Sequence, residues 1–141
     1  MDPMEKDPPV EDNGRDATVA WPEYFSLIQY LVSHFGFDEV QDVDSALPVV
    51  ARCSGSGVTM TVRDGIADEV IIDLTHMSSM ELNLRKYRSK IIVLAQSIAD
   101  DRIRLEPVRR RFFRSRRIRP VIYCRDGATL PVVEFIYSNR K

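Results

Sequence analysis

The sequence predicts a single α+β domain, with two helices packed on a mostly antiparallel sheet in the order α-β-β-β-α-β-β. Three observations support this. The chain has 141 residues, enough for one sizeable core but not two, and 44% of them are apolar. Two segments carry apolar residues at helical spacing. Five short β-branched runs are separated by turn chemistry suited to hairpins.

Residues 1–18, MDPMEKDPPVEDNGRDAT, hold Pro3, Pro8, Pro9 and Gly14 among charges and predict a flexible acidic tail ahead of a domain at 19–141. The segment has no apolar stretch of the secretory-signal type, and its acidity does not suit a transit peptide. The first helix is expected from Pro22, a residue suited to the first helical position, to Phe35, with Gly36 as its stop. Its apolar stripe reads Phe25, Ile28, Leu31, Val32 and Phe35, and His34 suits the negative helix end. After the acidic connector FDEVQDVDSA come strands at 47–53, 58–63 and 69–74, joined by SGSG and by Asp64-Gly65. Ser78 and Glu81 have capping-box spacing and predict the start of the second helix. Its stripe is Leu84, Tyr87, Ile91, Leu94, Ala95 and Ile98, and it should stop near Asp100-Asp101. Runs at 120–125 and 129–138 flank Asp126-Gly127 and predict a closing hairpin.

The longest clean apolar run, Ile91 to Ala95, is far too short for a membrane helix. Cys53 and Cys124 have no second Cys or His close in sequence, so they predict buried, reduced thiols and no metal site. No cofactor motif is present. SGSG lacks the Lys and helix of a phosphate loop. Asp126 and Glu134 sit on consecutive expected strands, as in metal-dependent nucleases, but Ile136 stands where such cores place Lys. His76, near Asp73, Thr75, Ser78 and Ser79, lacks a nucleophile elbow and reads as a polar loop. Asp38, Asp42 and Asp44 lack the Gly and distal Glu of a calcium loop. The expectation is a binding protein rather than an enzyme.

The charge distribution carries the functional signal. Net charge is −1, yet residues 1–80 hold 4 basic and 15 acidic side chains, whereas residues 81–141 hold 16 basic and 6 acidic. Within an Arg-rich segment at 103–119, seven of the eleven residues from 109 to 119 are Arg. The chain uses 16 Arg and 4 Lys, and Arg offers a planar fork that grips phosphate and stacks on bases. Interleaved aromatics provide faces for unpaired bases. If extended, the segment puts Arg110, Phe112, Arg114, Arg116 and Ile118 on one face and Arg109, Arg111, Phe113, Arg117 and Arg119 on the other. One face at least must be cationic and wet.

The expected site is therefore a nucleic-acid surface of Arg104, Arg109, Arg110, Arg111, Phe112, Phe113, Arg114, Arg116, Arg117 and Arg119, extended by Arg85, Lys86, Arg88 and Lys90. RNA is favoured over DNA, because no helix shows a groove-docking pattern and the Arg-Phe mixture suits phosphate and stacking contacts. The α-β-β-β-α order over 22–99 is similar to that of double-stranded-RNA-binding domains. The second helix, opening SSMELNLRKYRSK, lacks their Lys-Lys-x-Ala-Lys signature, so the similarity is one of order only.

The alternative partner is an acidic protein or a second copy of this chain. The full α-β-β-β-α-β-β order resembles small secretion chaperones, which dimerise and hold partner proteins. They are more acidic and normally end in a third helix, which the sequence does not predict here. The charge split suggests a version of its own, in which connector 38–44 of one subunit meets the arginines of another as a homo-oligomer. The expected location is cytoplasmic, or nuclear for a eukaryotic or viral source.

Overall fold

The computed structural model describes residues 15–107 and 118–138, with side chains from residue 22 onward. Its elements are α1 (Arg15–Phe35), β1 (Asp38–Val40), β2 (Val49–Cys53), β3 (Thr59–Asp64), β4 (Glu69–Leu74), β5 (Met80–Asn83), α2 (Leu84–Ala99), β6 (Ile103–Pro107), β7 (Ile118–Tyr123), β8 (Thr129–Pro131) and α3 (Val132–Tyr137). The protein is an α+β single domain, with an antiparallel five-stranded sheet in sequential order and a three-stranded sheet β6-β7-β8.

The large sheet is two-faced because its strands alternate. Val50, Val62, Ile72 and Met80 are successive cross-strand partners and form one buried row across four strands. Val70 with Leu82, and Met60 with Leu74, add parallel rows on the same face. The reverse face carries Thr61, Arg63, Asp73 and Glu81, with Arg63 Nε 3.2 Å from Asp73 Oδ2. Between β3 and β4, Gly65 donates to Glu69 O at 2.8 Å, and a Cβ at Gly65 would lie 2.8 Å from that same oxygen. The turn therefore requires glycine.

Both expected helix stripes face the core, with a rotation in the first. In α2, Leu84, Ile91, Leu94, Ala95 and Ile98 are buried and Tyr87 packs against them. The buried hydroxyl of Ser97 is satisfied by donating to Val93 O at 2.8 Å. In α1 the buried residues are Tyr24, Leu27, Ile28 and Leu31, while Phe25 and Phe35 are only partly buried and Val32 is 36% exposed. The turn of the helix about its axis follows Tyr24, whose hydroxyl donates to Pro48 O at 2.5 Å.

Several expectations need correction. Helix α1 starts at Arg15 and contains Pro22 inside it rather than at its first position. Ser78 and Glu81 do not cap α2. Met80 and Leu82 alternate inward as strand β5, and the cap is Asn83, whose Oδ1 accepts from Lys86 N at 3.0 Å. The acidic connector contains edge strand β1, so five strands separate α1 from α2, not the three of a double-stranded-RNA-binding domain. The final run is not one strand. After Pro131 it becomes α3, because Val132, Phe135 and Ile136 meet the core at a spacing of three and four. A third helix is present, as in the secretion chaperones, but five strands before α2 and three after it depart from the expected three and two. Cys53 is exposed and Cys124 half-buried, both as free thiols, where two buried ones were expected.

Burial pushes the Tyr24 phenol well above its usual range, and the nearby charge of Asp64 acts in the same direction. The folded chain keeps this proton at pH values where the unfolded chain has released it, so the contribution is complete below pH 10 and fades as pH rises further. Chemical denaturation from pH 8 to 11 should show stability falling more steeply for the natural protein than for Tyr24→Phe. That variant should also lose about 1 kcal/mol at neutral pH with its hydrogen bond.

Candidate nucleic-acid interface

The β6-β7 hairpin organises the site. Its register pairs Ile103 with Ile122, Arg104 with Val121, Leu105 with Pro120, Glu106 with Arg119 and Pro107 with Ile118. Directly opposed residues share a face, so Ile103, Leu105, Pro120 and Ile122 lie on one side. Ile103 and Ile122 are buried in the core there, with Leu105 packed against it. Arg104, Glu106, Arg119, Val121 and Tyr123 form the other side. Arg104 is exposed on that side, with its guanidinium 5.6 Å from the centre of the Tyr123 ring. Arg119 is half-buried and faces Glu106 across the strand pair.

Because Pro107 and Ile118 are paired, residues 108–117 join the two strands at the end of this hairpin. Arg109, Arg110, Arg111, Phe112, Phe113, Arg114, Arg116 and Arg117 lie outside the described residues. The described strands end at Pro107 and resume at Ile118.

The four cations of α2 do not share one patch. Successive helical residues turn by about 100°, so the four point in different directions, although Arg85 and Arg88, three residues apart, line the same cleft between α1 and α2. Arg85 Nε lies 2.9 and 3.2 Å from the two carboxylate oxygens of Glu23 on α1. Lys86 is exposed, with its ammonium 5.4 Å from the Tyr87 ring centre. Arg88 is half-buried, with its guanidinium 5.9 Å from the Tyr30 ring centre. Lys90 turns toward α3 and donates to Phe135 O at 2.8 Å, Ile136 O at 3.2 Å and Ser138 O. It thereby satisfies carbonyls at the C-terminal end of α3.

Tyr123 was not among the residues singled out from sequence. The signal for it was present: Arg119, Val121 and Tyr123 occupy alternate positions of the run IRPVIY, which puts the tyrosine on the arginine's face, with the buried Val121 between them.

Of the residues weighed for catalysis, Ser79 and Asp73 meet, while the others serve local turns or face solvent. Asp126 Oδ1 accepts from Ala128 N at 3.0 Å in the β7-β8 turn, where Gly127 has φ 88°. Glu134 is exposed on α3. His76 is exposed in a separate turn, and Ser79 donates to Asp73. Among the described residues no three His, Cys, Asp or Glu side chains come together in a cluster that could hold a metal ion. No helix among them is long and apolar enough to cross a membrane.

No family model matches the chain, and neither the curated proteins nor the solved structures contain a significant match to it.

The geometry of Lys90 has a direct consequence. Lys90→Met keeps much of the apolar stem but removes the charge-assisted bonds that join α2 to α3. It should lower unfolding free energy by about 1.5–3 kcal/mol, measured by urea denaturation, and increase hydrogen exchange in residues 132–138 first.

Proposed function

We propose that this protein binds nucleic acid, with RNA favoured, through the outward face of the β6-β7 hairpin and the arginine run that the hairpin carries. The observation behind this reading is the shared face of Arg104, Arg119 and Tyr123, continuous in sequence with seven arginines in eleven residues. Guanidinium groups would grip phosphates, and Tyr123, together with Phe112 and Phe113, would provide surfaces for base stacking. Glu106 opposite Arg119 helps keep the hairpin from being uniformly cationic, while the excess on 109–117 calls for an anionic partner. On this reading the protein acts by binding rather than catalysis. Its place is the cytoplasm, or the nucleus where the source has one, and two free thiols suit such a reducing compartment.

A second reading is supported by two features. Strand β1 is an edge strand with all three residues exposed, and it presents Asp38 and Glu39 as an acidic counterpart to the arginine hairpin. Helix α3 also supplies a third helix like that of the secretion chaperones, although the strand count differs from theirs. The protein would then be an oligomeric adaptor in which β1 of one copy meets the hairpin of the next.

For the first reading, affinity for single-stranded RNA should fall steeply with salt, with a log-log slope of about −0.7 per contacted phosphate. Arg104→Ala with Arg119→Ala should make that slope shallower by about 0.7 for each lost contact. Absence of binding at low salt, or binding indifferent to salt, overturns the reading. For the second, light scattering should give a mass above one chain at low salt and one chain at high salt. A monomer under both conditions that binds RNA decides for the first.

A further inference from the structure

Away from the hairpin, α1 and α2 enclose a cleft of about 480 Å³ lined by Pro22, Glu23, Ser26, Leu84, Arg85 and Arg88. Its size falls in the range of small-molecule sites. The two arginines that line it are in different situations. Arg85 is neutralised through its Nε by Glu23. Arg88 has no carboxylate partner among the described residues, and its Nη1 is buried without a hydrogen-bond partner. Nε of Arg52 and Nε of Arg102 are likewise buried and unpaired, so what singles out Arg88 is that it lines the cleft and that no carboxylate among the described residues balances its charge. The ring of Tyr30 backs the guanidinium at 5.9 Å and is itself stacked on His34 at 4.1 Å, which restricts where Arg88 can turn.

We propose that this cleft binds a small molecule with an oxyanionic head, a carboxylate or a phosphate monoester, on an apolar body. Arg88 supplies the donor for the head, because its fork suits either oxyanion and its charge is the one left uncompensated in the cleft. Glu23, held by Arg85, disfavours added negative charge, so of the two heads a carboxylate, with one charge, is preferred over a phosphate monoester, which carries nearly two at neutral pH. Pro22 and Leu84 supply the apolar wall, and the volume exceeds what a bare ion needs. Ser26, exposed on α1, offers a hydroxyl at the rim.

Titration of the whole chain with four probes, read by amide chemical shifts, tests this: benzoate, phenyl phosphate, inorganic phosphate and benzyl alcohol. The expected result is saturable binding of benzoate or phenyl phosphate, with shifts centred on residues 22–30 and 84–88. Whichever of the two binds more tightly identifies the head. Inorganic phosphate should bind more weakly and benzyl alcohol not at all. Arg88→Met should weaken binding about tenfold or more, as loss of a charge-assisted pair predicts. Should that variant fail to fold, Ser26→Trp fills the cleft from an exposed position and should block binding equally. Arg104→Ala with Arg119→Ala should leave it unchanged, which separates this site from the hairpin. Absence of saturable shifts with both anionic probes overturns the proposal. So does undiminished binding by folded Arg88→Met, or by Ser26→Trp, or benzyl alcohol binding as tightly as benzoate.

Discussion

The constraint on which the fold depends is the burial of helix α2 on several sides at once. Leu84, Ile91, Leu94, Ala95 and Ile98 share a core with the row Val50, Val62, Ile72 and Met80 of the large sheet. The same core takes in Leu27 and Leu31 of α1, Ile103 and Ile122 of the small sheet, and Val132 and Ile136 of α3. One helix of sixteen residues thereby joins a five-stranded sheet, a three-stranded sheet and two other helices. A single buried aliphatic side chain contributes about 1.5–3 kcal/mol, so the combined apolar surface on α2 dominates any polar contact around it. Lys90 completes the junction by occupying the last carbonyls of α3.

The cations divide according to this core. Those on the described body are mostly engaged nearby: Arg52 donates to Gly36 O, Arg63 pairs with Asp73, Arg85 with Glu23, Arg102 with Asp100, and Lys90 with backbone carbonyls. Such surface pairs contribute little to stability individually, and with 10 basic against 15 acidic side chains the described body stays net negative. Of these ion pairs only Arg85–Glu23 joins the basic half of the sequence to the acidic half. The sequence places its excess positive charge at 109–119, and Arg88 lacks a carboxylate partner among the described residues.

The parts of the fold legible in the sequence were those with a clear period. β3 and β4 alternate without exception at their buried positions, and α2 repeats at three and four residues. The parts that were not legible have two valid patterns. SSMELNL contains both a capping-box spacing and an alternation of Met80 with Leu82. The free edge of β4 decided for the strand, because pairing it satisfies a row of backbone groups. VVEFIY is β-branched and aromatic, which favours a strand by composition. It became a helix because Val132 and Ile136 had to reach the core together, and Lys90 stood ready to close its end. Of the candidate site, the arginine run was evident from composition. The separation of the α2 cations was not, because sequence proximity does not report which neighbour each face of a helix meets.

By itself the sequence determined the α+β class, the single core, the inward stripe of α2, the glycine turn at Gly65 and the concentration of arginine at 109–119. These are properties of local periodicity and composition, and they hold whatever the elements pack against. Tertiary structure alone decided that β1 and β5 flank the large sheet, that α1 turns to bury Tyr24, and that the final run closes as a helix. It also decided that Arg104, Arg119 and Tyr123 share one face, while Arg85, Arg88 and Lys90 serve different neighbours. The reason is physical: an orphaned hydrogen bond or a half-filled core can be satisfied only by a partner distant in sequence, and the identity of that partner is a property of the assembled fold.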